Sequence, residues 1–285
     1  MLNVKKLSQQ QDLNKGDLKM DVRLLIIDPQ VDFCDPSGAL FVPGAAEDCE
    51  RTATMIERLG KAIKKMYVTF DSHRQYQIFH PMFWLKSDGT DVNPLDLITY
   101  EDVSKGTIIP VDPNMMDWCL DYTKALEDGG RYPLVIWPYH CLIGTPGWNV
   151  NPTIMKAILN WEKSTYRMYN PITKGSNFKT EHYSAVKAEV EVPEDPTTQI
   201  NQQGIIEPLE NADMVAICGQ ARSHCVANTV RDIMTNFSDP EYIKKLYILE
   251  DATSDVDGFQ HLGQGFMIDF VKAGGNITTT DKFLA

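Results

Sequence analysis

Short apolar runs bounded by turn residues recur along the chain. Val22–Ile27, Met66–Phe70, Leu134–Trp137, Met214–Cys218 and Leu246–Leu249 show this pattern. They are too continuous for strands with one solvated face and too short for helices, so they read as buried parallel strands. Asn276–Thr280 reads as a sixth. Ala45–Lys65, Val226–Asn236 and Gly258–Ala273 carry helical patterns between them. The alternation predicts an α/β fold: a doubly wound, mainly parallel six-stranded sheet with helices on both faces. Residues 84–130 break the rhythm with scattered Asp and Pro and one short helical stretch, Met116–Leu126. They are expected to form an inserted lobe over the site. Residues 1–20 are polar and read as an N-terminal arm, which leaves residues 21–285 as the folded domain.

Composition narrows the class without changing this picture. A chain of 285 residues, 43% hydrophobic and 23% charged, can bury a large core without disulfides or structural metal. The net charge of −12 repels phosphate backbones and anionic bilayers, so neither nucleic acid nor a membrane is an expected partner. The first residues contain no apolar secretory segment, and runs such as Leu24–Ile27 cannot span a bilayer. Cys34, Cys49, Cys119, Cys141, Cys218 and Cys225 include no Cys-x-x-Cys pair. Reduced thiols in a cytoplasmic protein are therefore expected. A homo-oligomer is compatible with all of this.

Chemistry collects where the predicted strands end, which is where doubly wound sheets build their sites. Asp28 follows the first strand, Asp71 the second and His140 the third, while Cys225 lies in the turn after the fourth. Cys225 precedes a helical run, so its thiol should feel the positive end of the helix dipole and its pKa should fall. A lone cysteine is otherwise most often a small buried hydrophobe. His224 is an unsuitable base for it, because adjacent helical residues point roughly 100° apart; packing or capping is its expected role. Asp28 is the available base, and Asp32 starts the next turn.

At this point the residues resemble the isochorismatase-like cysteine hydrolases, and among them the nicotinamidases. The matching blocks are Leu25-Ile-Ile-Asp-Pro-Gln-Val-Asp-Phe-Cys34, Thr69-Phe-Asp-Ser-His73, Trp137-Pro-Tyr-His-Cys-Leu-Ile-Gly-Thr-Pro-Gly147 and Cys218-Gly-Gln-Ala-Arg-Ser-His-Cys-Val226. Lys174-Gly-Ser-Asn177 with His182-Tyr-Ser-Ala185 is similar to the family's lysine segment. The resemblance implies a triad of Cys225, Asp28 and Lys174, in which Asp28 takes the thiol proton and Lys174 stabilises the paired charges. It also implies an oxyanion hole from the Ala221 and Cys225 amides, beside a cis peptide between Gln220 and Ala221. Arg222-Ser223 departs from the Thr-Asp of many nicotinamidases.

One carboxylate and two imidazoles, Asp71, His73 and His140, suit a single divalent metal ion, with Zn²⁺ the first choice and Fe²⁺ or Mn²⁺ as others. The resemblance implies the same set. His80, seven residues after His73, is a candidate fourth ligand or an ordinary loop histidine. Phe33 and Trp137 match positions that sandwich an aromatic ring in the family, and Tyr183 is expected in the same pocket. The implied activity is hydrolysis of nicotinamide to nicotinate and ammonia through a cysteine thioester, as part of NAD salvage, with the pyridine nitrogen on the metal or its water. The alternatives are another small amide, carbamoyl or ureido substrate for the same chemistry, or a non-catalytic binding protein on the same fold.

Overall fold

The computed structural model describes residues 20–285, so all of the expected N-terminal arm except Met20 lies outside the described residues. In chain order the strands are β1 (Val22–Ile27), β2 (Ile63–Asp71), β3 (Trp84–Lys86), β4 (Leu97–Ile98), β5 (Ile108–Pro110), β6 (Leu134–Val135), β7 (Asn170–Lys174), β8 (Met214–Gly219), β9 (Leu246–Leu249) and β10 (Asn276–Thr278). The longer helices are α1 (Ala45–Leu59), α2 (Met116–Gly129), α3 (Pro152–Thr165), α4 (Ala227–Asn236) and α5 (Gln260–Lys272). The main sheet has six strands in the order β10-β9-β8-β1-β2-β7, and each neighbouring pair is parallel.

The two-residue period of a strand explains the layering. Val22, Leu24 and Ile26 of β1 join one apolar cluster with Met55 and Ile56 of α1 and Trp161 of α3. Leu25 and Ile27 turn the other way, into a cluster with Val230 and Ile233 of α4 and Phe266 of α5. Every residue of β1 is buried, as a central parallel strand requires. Among the described residues, no helix is long and apolar enough to cross a membrane.

The structure corrects several expectations. Leu134–Trp137 is not a strand of the main sheet; only Leu134–Val135 is extended, and it pairs antiparallel with β4. Its residues are apolar because they face the core beneath residues 84–130, where Ile136 is fully buried. The missing sheet position is filled by β7, the edge beyond β2, where Ile172 is the buried apolar residue of a polar segment. His140 therefore lies in a loop rather than after a sheet strand. The expected helix over Ala45–Lys65 stops at Leu59, because Gly60 turns the chain at φ +46° and β2 begins at Ile63. Helix α3 was not expected. Residues 84–135 hold two short antiparallel pairs, β3–β5 and β4–β6, together with α2. They share the core cluster of α4 and α5.

Candidate active site

The chain runs β1, β2, β7 outward on one side of the sheet, then returns to build β8, β9 and β10 on the other. The order thus reverses between β1 and β8, and ligands in open α/β sheets bind at such a reversal, beyond the carboxyl ends of the strands. Asp28 immediately follows β1, Asp71 ends β2, and Lys174 ends β7. Asp71 and Lys174 are register partners in neighbouring parallel strands. Cys225 lies in the wide turn Arg222–Val226 that joins β8 to α4. It therefore sits inside the first turn of that helical segment, not ahead of it.

These side chains meet at one ammonium. Lys174 Nζ is 3.0 Å from Asp28 Oδ2 and 2.9 Å from Asp71 Oδ1. It also donates to the His182 carbonyl at 2.9 Å and lies 3.5 Å from Cys225 Sγ. All four groups are buried. Burial alone would depress the lysine's pKa, but Asp28 and Asp71 drive it well above its ordinary value. Burial raises the Asp28 carboxyl, and the Lys174 charge opposes that rise. Thr69 holds the same carboxylate by donating to Oδ1, while the Asp28 N–H donates to Thr69 Oγ1 at 2.9 Å.

The thiol does not behave as its place near a helix start suggested. Burial pushes the Cys225 thiol well above its usual pKa, although Lys174 pulls it down, and a hydrogen bond with Asp28 adds to the rise. The resting group is a thiol with a carboxylate at hand to accept its proton. The Gln220–Ala221 peptide is cis, as expected. It follows Gly219, whose φ of +112° and 2.0 Å approach of a built Cβ to the Ile27 carbonyl oxygen leave no room for a side chain.

Beside this trio, the ligand atoms of Asp71, His73 and His140 lie within 4.8 Å of one another. His73 Nε2 is 2.8 Å and His140 Nε2 3.4 Å from Asp71 Oδ2. The opposite ring nitrogens face carbonyls: His73 Nδ1 is 3.2 Å from Gly175 O and His140 Nδ1 2.8 Å from Pro138 O. A neutral imidazole that donates through Nδ1 turns a lone pair outward at Nε2. Two lone pairs and a carboxylate oxygen then converge in a buried space, an arrangement that a cation relieves. The charges agree, since two buried carboxylates face one ammonium and leave a surplus negative charge that a divalent ion would offset. These residues fit a divalent metal.

His80 stands next to this set but outside it. Its ring centroid is 5.8 Å from that of His73 and 6.0 Å from that of His140. Its Nδ1 faces the Arg74 and Gln75 carbonyls at 3.0 and 3.1 Å, and its buried Nε2 has no partner among the described residues.

Phe33, Trp137, Tyr183, Ala221 and Cys225 all line one narrow cavity, which also reaches Asp71 and His140. Trp137 Nε1 donates to Tyr183 Oη at 3.0 Å, which fixes both rings. The sequence reading missed two contributors. Gln30 clamps the Asp71 backbone: its Nε2 donates to Asp71 O, and its Oε1 accepts from Asp71 N, each at 2.7 Å. The available signal was its place in the Asp28-Pro29-Gln30 turn. Glu181 lines the cavity, and burial together with nearby Asp71 pushes its carboxyl up to about 8. Nothing in its local sequence marked it. Asp32 is a brace that accepts the Cys141 N–H at 2.6 Å and the Ala39 N–H at 3.1 Å.

A comparison with protein-family models gives no match, and one with curated proteins gives no significant match. Solved structures do match. Yeast nicotinamidase Pnc1p has 18% sequence identity and a TM-score of 0.61, over 90% of this chain and 99% of that one. PnC1 from L. infantum in complex with nicotinate has 20% identity and a TM-score of 0.58, over 93% and 96%. Pyrazinamidase of Pyrococcus horikoshii in complex with zinc has 18% identity and a TM-score of 0.52, over 91% and 99%. This chain has the isochorismatase-like fold that these amidases share.

Proposed function

We propose that this chain is a cysteine amidohydrolase of the nicotinamidase type, converting nicotinamide and water to nicotinate and ammonia in NAD salvage. The observation that carries the reading is the meeting of Cys225, Asp28 and Lys174 at the point where strand order reverses, with Asp71 and His140 lining the same cavity as Cys225 and His73 grouped beside them. The nicotinate-bound and zinc-bound structures of the same fold support it.

In this reading Phe33 and Trp137 hold a flat ring and place the carboxamide carbon near Cys225 Sγ. Asp28 accepts the thiol proton as sulfur adds to the carbonyl carbon. The Ala221 and Cys225 N–H groups receive the negative charge that develops on oxygen. Collapse breaks the C–N bond, and Asp28 returns the proton to the departing ammonia, leaving a thioester. Asp28 then takes a proton from water as the water oxygen attacks; the C–S bond breaks, Asp28 returns that proton to sulfur, and the product acid loses its own proton to solvent, leaving the carboxylate and the thiol. Lys174 favours the anionic form of Asp28 before the transfer and the negative charge that develops on Cys225 Sγ during it. Asp71, His73 and His140 would hold a divalent cation, which when bound supplies a Lewis-acid anchor for an acceptor atom of the ring.

The test is ammonia release from nicotinamide. Cys225→Ala should lower it on the order of a thousandfold or more. Chelation should suppress turnover by the native chain, and zinc, iron or manganese should restore it. Equal rates for the native and Cys225→Ala chains would refute the proposal.

A further inference from the structure

His224 adjoins the nucleophile, yet the reaction as derived leaves it without a task. It is 3% exposed and forms part of the cavity wall. Its ring stacks on Tyr132, with centroids 5.0 Å apart at 24°, and meets Phe259 at 4.9 Å. Trp137 and Tyr183 lie 5.4 Å away, centroid to centroid. This ring cluster is separate from the one that joins Phe33 and His73 through His140. The cavity lining therefore draws on both clusters, His140 with Asp71 from one and His224 from the other.

The surrounding hydrogen bonds place the proton of this imidazole. Ser223 Oγ accepts the Val256 N–H at 3.1 Å and lies 2.9 Å from His224 Nδ1. A serine hydroxyl has one proton to donate, and Nδ1 is the acceptor within its reach. Ser223 Oγ–H therefore donates to Nδ1, and the ring proton sits on Nε2. The opposite assignment would strand both the buried hydroxyl proton and the Nε2 lone pair. Burial holds the ring neutral, with a pKa pushed down to about 3. Nε2 has no partner among the described residues, and Nδ1 is turned toward Ser223, so the free N–H lies on the other edge of a ring that lines the cavity.

We infer that His224 Nε2–H is a substrate-recognising donor, and that the chain favours amides carrying a second hydrogen-bond acceptor on the edge away from Asp71, His73 and His140. This rests on the amidohydrolase reading. It also sharpens it, because nicotinamide places its carbonyl oxygen near the nucleophile and its ring nitrogen on the metal side. Neither atom is left for His224. A site built to hydrogen-bond a substrate discriminates against the analogue that lacks the matching group.

The probes are nicotinamide and pyrimidine-5-carboxamide, which adds a ring nitrogen at the mirror position. The native chain should prefer the pyrimidine over nicotinamide in kcat/KM, mainly through KM. His224→Phe keeps a ring against Tyr132 but removes the donor; it should shift that preference toward nicotinamide by about three- to tenfold. His224→Gln, with an amide donor near the Nε2 position, should recover part of it. Comparing ratios between variants cancels the intrinsic reactivity of the two amides. An unchanged ratio in His224→Phe overturns the inference. Nitrogen-15 spectra of the histidine-labelled chain provide a readout independent of turnover: an Nε2–H tautomer at His224 supports the assignment and an Nδ1–H tautomer overturns it. If neither amide is hydrolysed, the amidohydrolase reading fails, while the tautomer result still decides the donor.

Discussion

Lys174 concentrates the electrostatics of the site in one atom. A lysine that is 3% exposed would ordinarily shed its proton, and it stays charged because two carboxylate oxygens lie at 3.0 and 2.9 Å. The same contacts let Asp28 and Asp71 share a buried space. Lys174→Met should therefore do more than stop turnover. It leaves two buried carboxylates without their cation, and loss of one partner of a buried ion pair costs about 3–5 kcal/mol. Denaturant midpoints would show this loss. Adding Asp28→Asn should recover part of the stability and none of the activity, since the remaining buried charge is smaller but the proposed base is gone. A Lys174→Met chain as stable as the native one would contradict this account of the cluster.

The strand ends hold these groups in register, and Gly175 shows how closely. It follows Lys174 at φ +80°, and a built Cβ would lie 2.7 Å from His73 Cε1 and 2.9 Å from Asp71 Oδ1. Gly89 has φ +82° with nothing within 4 Å. Gly89→Ala should thus lose only the backbone term, roughly 1–2 kcal/mol. Gly175→Ala adds displacement of two residues of the candidate metal site and should weaken zinc binding by about tenfold or more in a competition titration. Similar zinc affinities for the two variants would show that the cradle tolerates the methyl group. The legibility of these elements followed their chemistry. Val22–Ile27 announced a central strand because all six residues are buried. β7 did not, since Asn-Pro-Ile-Thr-Lys at a sheet edge buries little that is apolar. Lys174 therefore enters the sequence reading through the resemblance alone. Leu134–Trp137 misled because burial under a lobe and burial in a sheet leave the same apolar signature. Asp28, Asp71, His73 and Cys225 could be placed beforehand because they lie at or just beyond strand ends. His140 falls in the group with Asp71 and His73, but the strand expected to deliver it is not part of the main sheet. It arrives by a loop that bridges His73 to Leu142. Glu181 acts through contacts that no local pattern encodes, whereas Gln30 was signalled by its place in the turn after Asp28.

Across the whole molecule, the segment that precedes Trp137 must be fixed to the sheet for the cavity to keep its shape. Arg131 provides one tie: its guanidinium pairs with Asp232 of α4, and Nη1 lies 3.8 Å from Glu189 Oε2. The arrangement has one acid too many for its cation. Burial, opposed by Arg131 and reinforced by Asp232, raises the Glu189 carboxyl from 4.5 to about 7, and its buried Oε1 has no partner among the described residues. The pH dependence follows from the sign of this shift. Between 4.5 and about 7 the folded chain holds this proton and the unfolded chain does not. By linkage, the stabilisation is full below the unfolded pKa, declines as pH rises, and is lost above the folded value. A shift of this size corresponds to about 3 kcal/mol. Other groups titrate over the same range, so the informative quantity is the difference from Glu189→Gln, which keeps the shape and cannot ionise. Thermal or urea unfolding at pH 5 and pH 8 should show a smaller loss of stability in Glu189→Gln than in the native chain, with the variant gaining on the native as pH rises. Parallel curves for the two chains would mean that Glu189 is ionised in the fold throughout and that Arg131 balances both acids.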